Sequence, residues 1–283
     1  MQERVVRIGQ PTPLIGIITE PDTVVDEQTA MLLLNSGVMH RVGSCRLSVK
    51  VARAVAERVG LPTLRFDFSG IGDSEVRRGA MGFEKTAAAE VSEVMDYLQH
   101  TRGVSRFVLY GLCSGGHVAC RVGQHDKRVR QIIQIDGYCF PTWKSWLYHY
   151  APRLMSLDKW KNLIKRRKAG VMQQAGYEIA GIPSEYFEPA DLGDTTPSQQ
   201  EIMVWMAKLV DNDISLYCLF TGKEPGYNYL GQFRDCYSDV HFGNRLAEEY
   251  MSESSHIVSD PESQRRVVES IVNWLKTHYL FSC

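Results

Sequence analysis

Apolar positions along the chain follow two alternating rhythms. Thr29 to Leu34, Pro62 to Phe68, Arg106 to Leu112, Arg130 to Ile135 and Ile214 to Phe220 are short apolar runs rich in β-branched and aromatic residues, the pattern of buried strands. Between them, Leu47, Val51, Val55 and Val59 recur every four residues, and Phe83, Ala87, Val91, Val94 and Leu98 keep helical spacing. Gly60 and Pro62 stop the first of these helices. Val5 to Ile8 and Leu14 to Thr19, parted by Gly9-Gln10-Pro11-Thr12-Pro13, read as a hairpin at a sheet edge. Leu246 to Ser252 reads as a last strand, and Val267, Ile271 and Leu275 mark a final helix. Strand and helix in alternation predict an α/β fold: a mostly parallel central sheet with helices on both faces. Ligands of such sheets sit beyond the carboxyl ends of the strands.

The alternation breaks after the strand that ends at Asp136. Residues 141–209 hold Trp143, Trp146, Tyr148, Tyr150, Trp160 and Trp205 and the basic run Lys159–Lys168. We expect a helical cap here, inserted into a core made of residues 1–140 and 210–283. Trp143 and Trp146 are expected to bind substrate as part of a lid over an apolar acyl group. The basic run reads as a solvated helix face, with a dock for an acidic carrier protein or a pantetheine phosphate as the sharper alternative.

Composition narrows the function classes. With 283 residues, 44% hydrophobic and a formal net charge of −1, the chain carries no global field for nucleic acid. No apolar run is long enough to span a bilayer, and Met1-Gln2-Glu3-Arg4 leads into a charged strand rather than a signal peptide. Seven scattered cysteines without a CxxC pair fit free thiols in a cytoplasmic protein. No metal and no cofactor are expected; the oligomeric state is left open.

The chemistry concentrates at Gly111-Leu112-Cys113-Ser114-Gly115. Strand, tight turn and helix with a nucleophilic side chain between two glycines form a nucleophile elbow. Gly111 and Gly115 sit where side chains would collide, which favours Cys113 over its neighbour Ser114 as nucleophile. His256, after the last strand and before the final helix, is the expected base. Three acids compete: Asp136 at the end of the strand after the elbow, Glu224 at the end of the next, and Asp235. The loop from Asn35 to Ser44 contains Gly37 and allows close backbone approach. The oxyanion donors expected are the N–H groups of Val38 and Ser114, with Gly37, Met39 and His40 contacting substrate. His117, on the elbow helix, reads as structural, as do Asp67 and Asp73.

Together these blocks resemble the α/β-hydrolase fold over nearly the whole chain except the cap. Met39-His40-Arg41-Val42-Gly43-Ser44 and the Gly-Leu-Cys elbow are similar to hydrolases associated with bacterial exosortase systems. Ile133-Gln134-Ile135-Asp136-Gly137-Tyr138 resembles the acid-bearing strand of polyketide and nonribosomal-peptide thioesterase domains, which also put a helical lid after it. The reading that follows is a cysteine-dependent acyl hydrolase or acyltransferase, taking a thioester on CoA or an acyl or peptidyl carrier protein through an acyl-Cys113 intermediate. A carboxylester or lactone hydrolase of dienelactone-hydrolase type is the main alternative. A non-catalytic binding protein, and a lyase or cyclase on the same fold, remain open.

Overall fold

The computed structural model describes residues 1–77, 83–154, 197–222 and 226–279. Trp160, the basic run Lys159–Lys168 and the candidate acid Glu224 lie outside the described residues.

Eight strands form one sheet: β1 (Gln2–Ile8), β2 (Leu14–Glu20), β3 (Thr29–Leu33), β4 (Thr63–Phe66), β5 (Arg106–Leu112), β6 (Val129–Ile135), β7 (Ser215–Thr221) and β8 (Leu246–Met251). Their spatial order is β1-β2-β4-β3-β5-β6-β7-β8. β2 runs antiparallel to both of its neighbours, and every pairing from β4 to β8 is parallel. The helices are α1 (Leu47–Val59), α2 (Phe83–Arg102), α3 (Ser114–Gly123), α4 (Trp143–Leu154), α5 (Gln199–Asp211), α6 (Gln232–Cys236) and α7 (Pro261–Tyr279).

Each strand divides its side chains between two cores because successive residues point to opposite faces. On β5, Phe107 and Leu109 join α2 and α3 in one cluster. Val108, Tyr110 and Leu112 join α1 and α7 in the other. The central strands are buried on both faces, which is why they read as unbroken apolar runs rather than alternating ones. Fully burying one such aliphatic side chain contributes about 1.5–3 kcal/mol.

α5 departs from the expected cap. A capping box opens it: the Ser198 side chain accepts from Glu201 N–H at 3.3 Å, and Ser198 N–H donates to the Glu201 carboxylate at 2.7 Å. Its buried residues Ile202, Met206 and Leu209 then join the α2–α3 core. Residues 199–209, expected to belong to the cap, therefore build one of the layers that cover the sheet.

The topology places the site. From β3 the chain leaves through α1 to β4, while from β5 it leaves through α3 to β6 on the other side. Connections diverging from adjacent parallel strands open a crevice at their carboxyl ends. Gly37 lies just past β3 and Cys113 just past β5.

Candidate active site

Cys113 follows β5 directly, and its N–H continues the ladder to Ile135 O at 2.8 Å. The residue then turns into the left-handed region, with φ 53° and ψ −121°. A non-glycine residue held there stores roughly 1–3 kcal/mol of strain. The turn brings the end of β5 against the start of α3. A Cβ on Gly111 would lie 2.1 Å from the Gly115 carbonyl carbon, and one on Gly115 would lie 2.6 Å from Asn35 O. Cys113 itself is half-buried.

Asp136 holds the matching position after β6. It too is left-handed, with φ 50°, and only 5% exposed. Thr221, the last residue of β7, donates its N–H to Asp136 Oδ1 and its hydroxyl to Oδ2, each at 2.7 Å. His256 Nδ1 lies 2.8 Å from the same Oδ2. Asp136 is therefore in contact with His256, while Glu224 lies outside the described residues. Asp235 is bound by Lys144 Nζ and by the Tyr229 hydroxyl, each at 2.8 Å.

His256 rides on a turn closed by Val258 N–H donating to Ser255 O at 2.8 Å. Val258 is buried in the left-handed region, φ 47°, a costly state for a β-branched residue. Two side chains brace this turn. Ser44 donates its hydroxyl to Ile257 O at 2.6 Å. Gln264, buried at the start of α7, donates to Val258 O at 2.9 Å and to Cys45 O at 3.2 Å. Cys45 is also left-handed, φ 46°, so one carboxamide bridges the carbonyls of two strained residues from distant parts of the chain.

The loop after β3 is organised from below by Asp67. This carboxylate is fully buried and accepts from Arg41 N–H, the Arg41 guanidinium, Asp73 N–H at 3.1 Å and Asn35 Nδ2 at 3.4 Å. Asn35 in turn donates to Met39 O and accepts from Phe68 N–H, both at 2.8 Å. Arg41 also pairs with Asp73, so Asp67 and Asp73 hold the loop, in line with their structural reading. At the tip, Gly37 N–H donates to Ser114 Oγ at 2.7 Å. Val38 is 82% exposed, and His40 is exposed beside it.

Trp143 and Trp146 stand on α4 with much of their rings exposed. His117 stacks on Tyr138 with centroids 3.5 Å apart, and burial together with Arg121 pushes its pKa down to about 4. Thr221, Ser44 and Gln264 escaped the sequence reading. Thr221 could have been suspected only as a hydroxyl at the end of the strand beside the acid. Among the described residues no cluster of His, Cys, Asp and Glu is arranged to hold a metal, and no helix is long and apolar enough to cross a membrane.

No family model and no curated protein matches the sequence. Solved structures do match. A proline iminopeptidase from Mycobacterium smegmatis superposes with a TM-score of 0.62 at 12% identity, covering 100% of both chains. An esterase from Pyrococcus furiosus gives 0.61 at 12% identity, over 98% of this chain and 90% of that one. An alpha-beta serine hydrolase homologue from Coxiella burnetii gives 0.58 at 15% identity, over 97% of each. At these identities the likeness speaks for the fold: the chain has the α/β-hydrolase fold.

Proposed function

We propose that the protein is a cysteine-dependent acyl hydrolase or acyltransferase whose nucleophile is Cys113, base His256 and acid Asp136. The observation that carries this reading is the 2.8 Å contact between His256 Nδ1 and Asp136 Oδ2, on a sheet whose neighbouring strand ends in the strained Cys113. With Nδ1 engaged by the carboxylate, Nε2 is the ring nitrogen that handles the proton. The hydrolase names of the structural neighbours support acyl chemistry in general.

The mechanism runs in two halves. His256 takes the Cys113 thiol proton as Sγ bonds to the acyl carbonyl carbon. The oxyanion collects the N–H groups of Val38 and Ser114; a helix's first N–H groups lack intrahelical partners and are open to an anion. The tetrahedral species expels its thiolate or alkoxide, which takes the proton back from His256 and leaves acyl-Cys113. Water, an amine or an alcohol then gives its proton to His256 and attacks the acyl carbon, releasing the thiol. Because acyl-Cys113 is itself a thioester, exchange from a CoA or carrier thioester is nearly balanced in energy, and the intermediate stays reactive toward an amine or alcohol. This favours a thioester donor and leaves the acceptor to choose between hydrolysis and transfer. The esterase among the structural neighbours makes a carboxylester the second substrate class to test.

Intact-protein mass spectrometry after brief exposure to acyl-thioesters and small esters tests the reading. We expect an acyl adduct that maps to Cys113 and disappears in Cys113→Ala. An adduct mapping to Ser114, or none with any donor, would overturn it.

A further inference from the structure

The residue after the nucleophile carries a side chain that the mechanism above does not use. Ser114 Oγ accepts the Gly37 N–H at 2.7 Å, across 77 residues of sequence. Gly37 is left-handed, φ 53°, and no atom lies within 4 Å of where its Cβ would be. The turn around it is closed by Met39 N–H donating to Ser36 O at 3.0 Å. The base of this loop is fastened by Asn35, Asp67 and Arg41, but its tip projects without packing, and Val38 is 82% exposed. Among the described hydrogen bonds, Gly37 to Ser114 is the one that joins this tip to the elbow.

We propose that Ser114 is a positioning residue whose hydroxyl sets the oxyanion site, by holding the Gly37 amide so that the next amide, Val38 N–H, is brought up to share an anion with Ser114 N–H. The inference rests on the acylation chemistry proposed above. It assigns opposite duties to the two halves of one residue: the backbone N–H faces the reacting oxygen, while the side chain fastens the second donor. It also removes Gly37 N–H from the candidate oxyanion donors, because that hydrogen is already given to Ser114 Oγ. A hydroxyl engaged in this way serves the loop rather than attacking substrate, which agrees with its place one residue past the strained turn. Losing an oxyanion donor outright typically costs about 100- to 1000-fold in turnover. Loosening one without removing it should cost about tenfold.

Two reactions at the same sulfur separate this role from a general defect. Iodoacetamide is attacked at a saturated carbon: an S–C bond forms, iodide leaves, the thiol proton goes to His256, and no oxyanion develops. An aryl thioester is attacked at its carbonyl: an S–C bond forms through a tetrahedral oxyanion, and the aryl thiolate leaves with the proton. In Ser114→Ala we expect acylation of Cys113 to slow about tenfold while alkylation stays within about twofold of wild type. Ser114→Thr, which keeps the hydroxyl, should recover most of the acylation rate. Equal slowing of both reactions would mark a folding or nucleophile defect and overturn the proposal, as would unchanged acylation in Ser114→Ala. A wild-type protein that is alkylated at Cys113 but never acylated would instead overturn the parent reading, and this inference with it.

Discussion

Two aspartates occupy equivalent places and do different work. Asp67 follows β4 and Asp136 follows β6; both sit at the carboxyl end of a parallel strand, and both are buried, at 0% and 5% exposure. Each accepts backbone N–H groups through its carboxylate. They differ in the remaining partner. Asp67 is closed by the Arg41 guanidinium, which keeps its proton throughout, whereas Asp136 faces the imidazole of His256, which can gain and lose one. Burial at a strand end is therefore common to both; under the proposed function, what suits Asp136 to catalysis is a partner able to carry a proton.

The largest effect should come from Asp136→Asn. With the carboxylate gone, the imidazole loses both its orientation and the charge that stabilises its protonated form, and turnover should fall about a thousandfold or more. The thermal midpoint should change little. Asp67→Asn should behave in reverse. Breaking its buried pair with Arg41 should remove about 3 kcal/mol of stability, seen as a midpoint lower by several degrees. If instead Asp67→Asn abolished acylation at an unchanged midpoint, the two roles would have been exchanged.

The histidines extend the contrast. His256 is held by a carboxylate, while His117 is stacked on Tyr138 and its pKa is lowered from 6.5 to about 4 by burial and by Arg121. In the window between those values the unfolded chain binds more protons than the folded one. Stability from His117 is thus full above about pH 6.5 and is lost as pH falls, by about 2 kcal/mol at pH 5. Urea unfolding at pH 7 and pH 5 should show this loss, and His117→Phe should flatten it. The smallest effect should be that of Thr221→Val, which removes one neutral donor from Asp136. It should cost about 1 kcal/mol, or roughly fivefold in turnover, with KM unmoved.

What was legible in the sequence follows the range of the physics involved. Steric demand is local, so Gly111, Cys113 and Gly115 marked the elbow without any knowledge of the sheet. Strand ends are also visible, but two of them carry a candidate acid, Asp235 adds a third further on, and nothing local separates Asp136 from Glu224 or Asp235. What surrounds Asp136 depends on register: Ile135 pairs with Leu219, which sets Thr221 beside Asp136. Gln264 leaves no local mark, because it matters only where two distant turns meet. The cap boundary was a different case. Ser198-Gln199-Gln200-Glu201 is a helix-start signal with apolar positions following at Ile202, Met206 and Leu209, but the sequence of a helix that covers the sheet and that of a helix in a cap share this periodicity, and only the packing tells them apart.

The carboxamide of Gln264 also bears on the order in which the site comes into being during synthesis. Under the proposed function, a chain elongated through Asp136 already contains the nucleophile, its elbow and the acid, yet lacks the base. His256 emerges later, on a turn whose strained Val258 is braced by a side chain from the helix made after it. Under the proposed function, the base and the helix that braces its turn are the last parts of the site to be made, and that same helix completes the second core, so a chain that stops short of His256 lacks the group that would take the Cys113 proton.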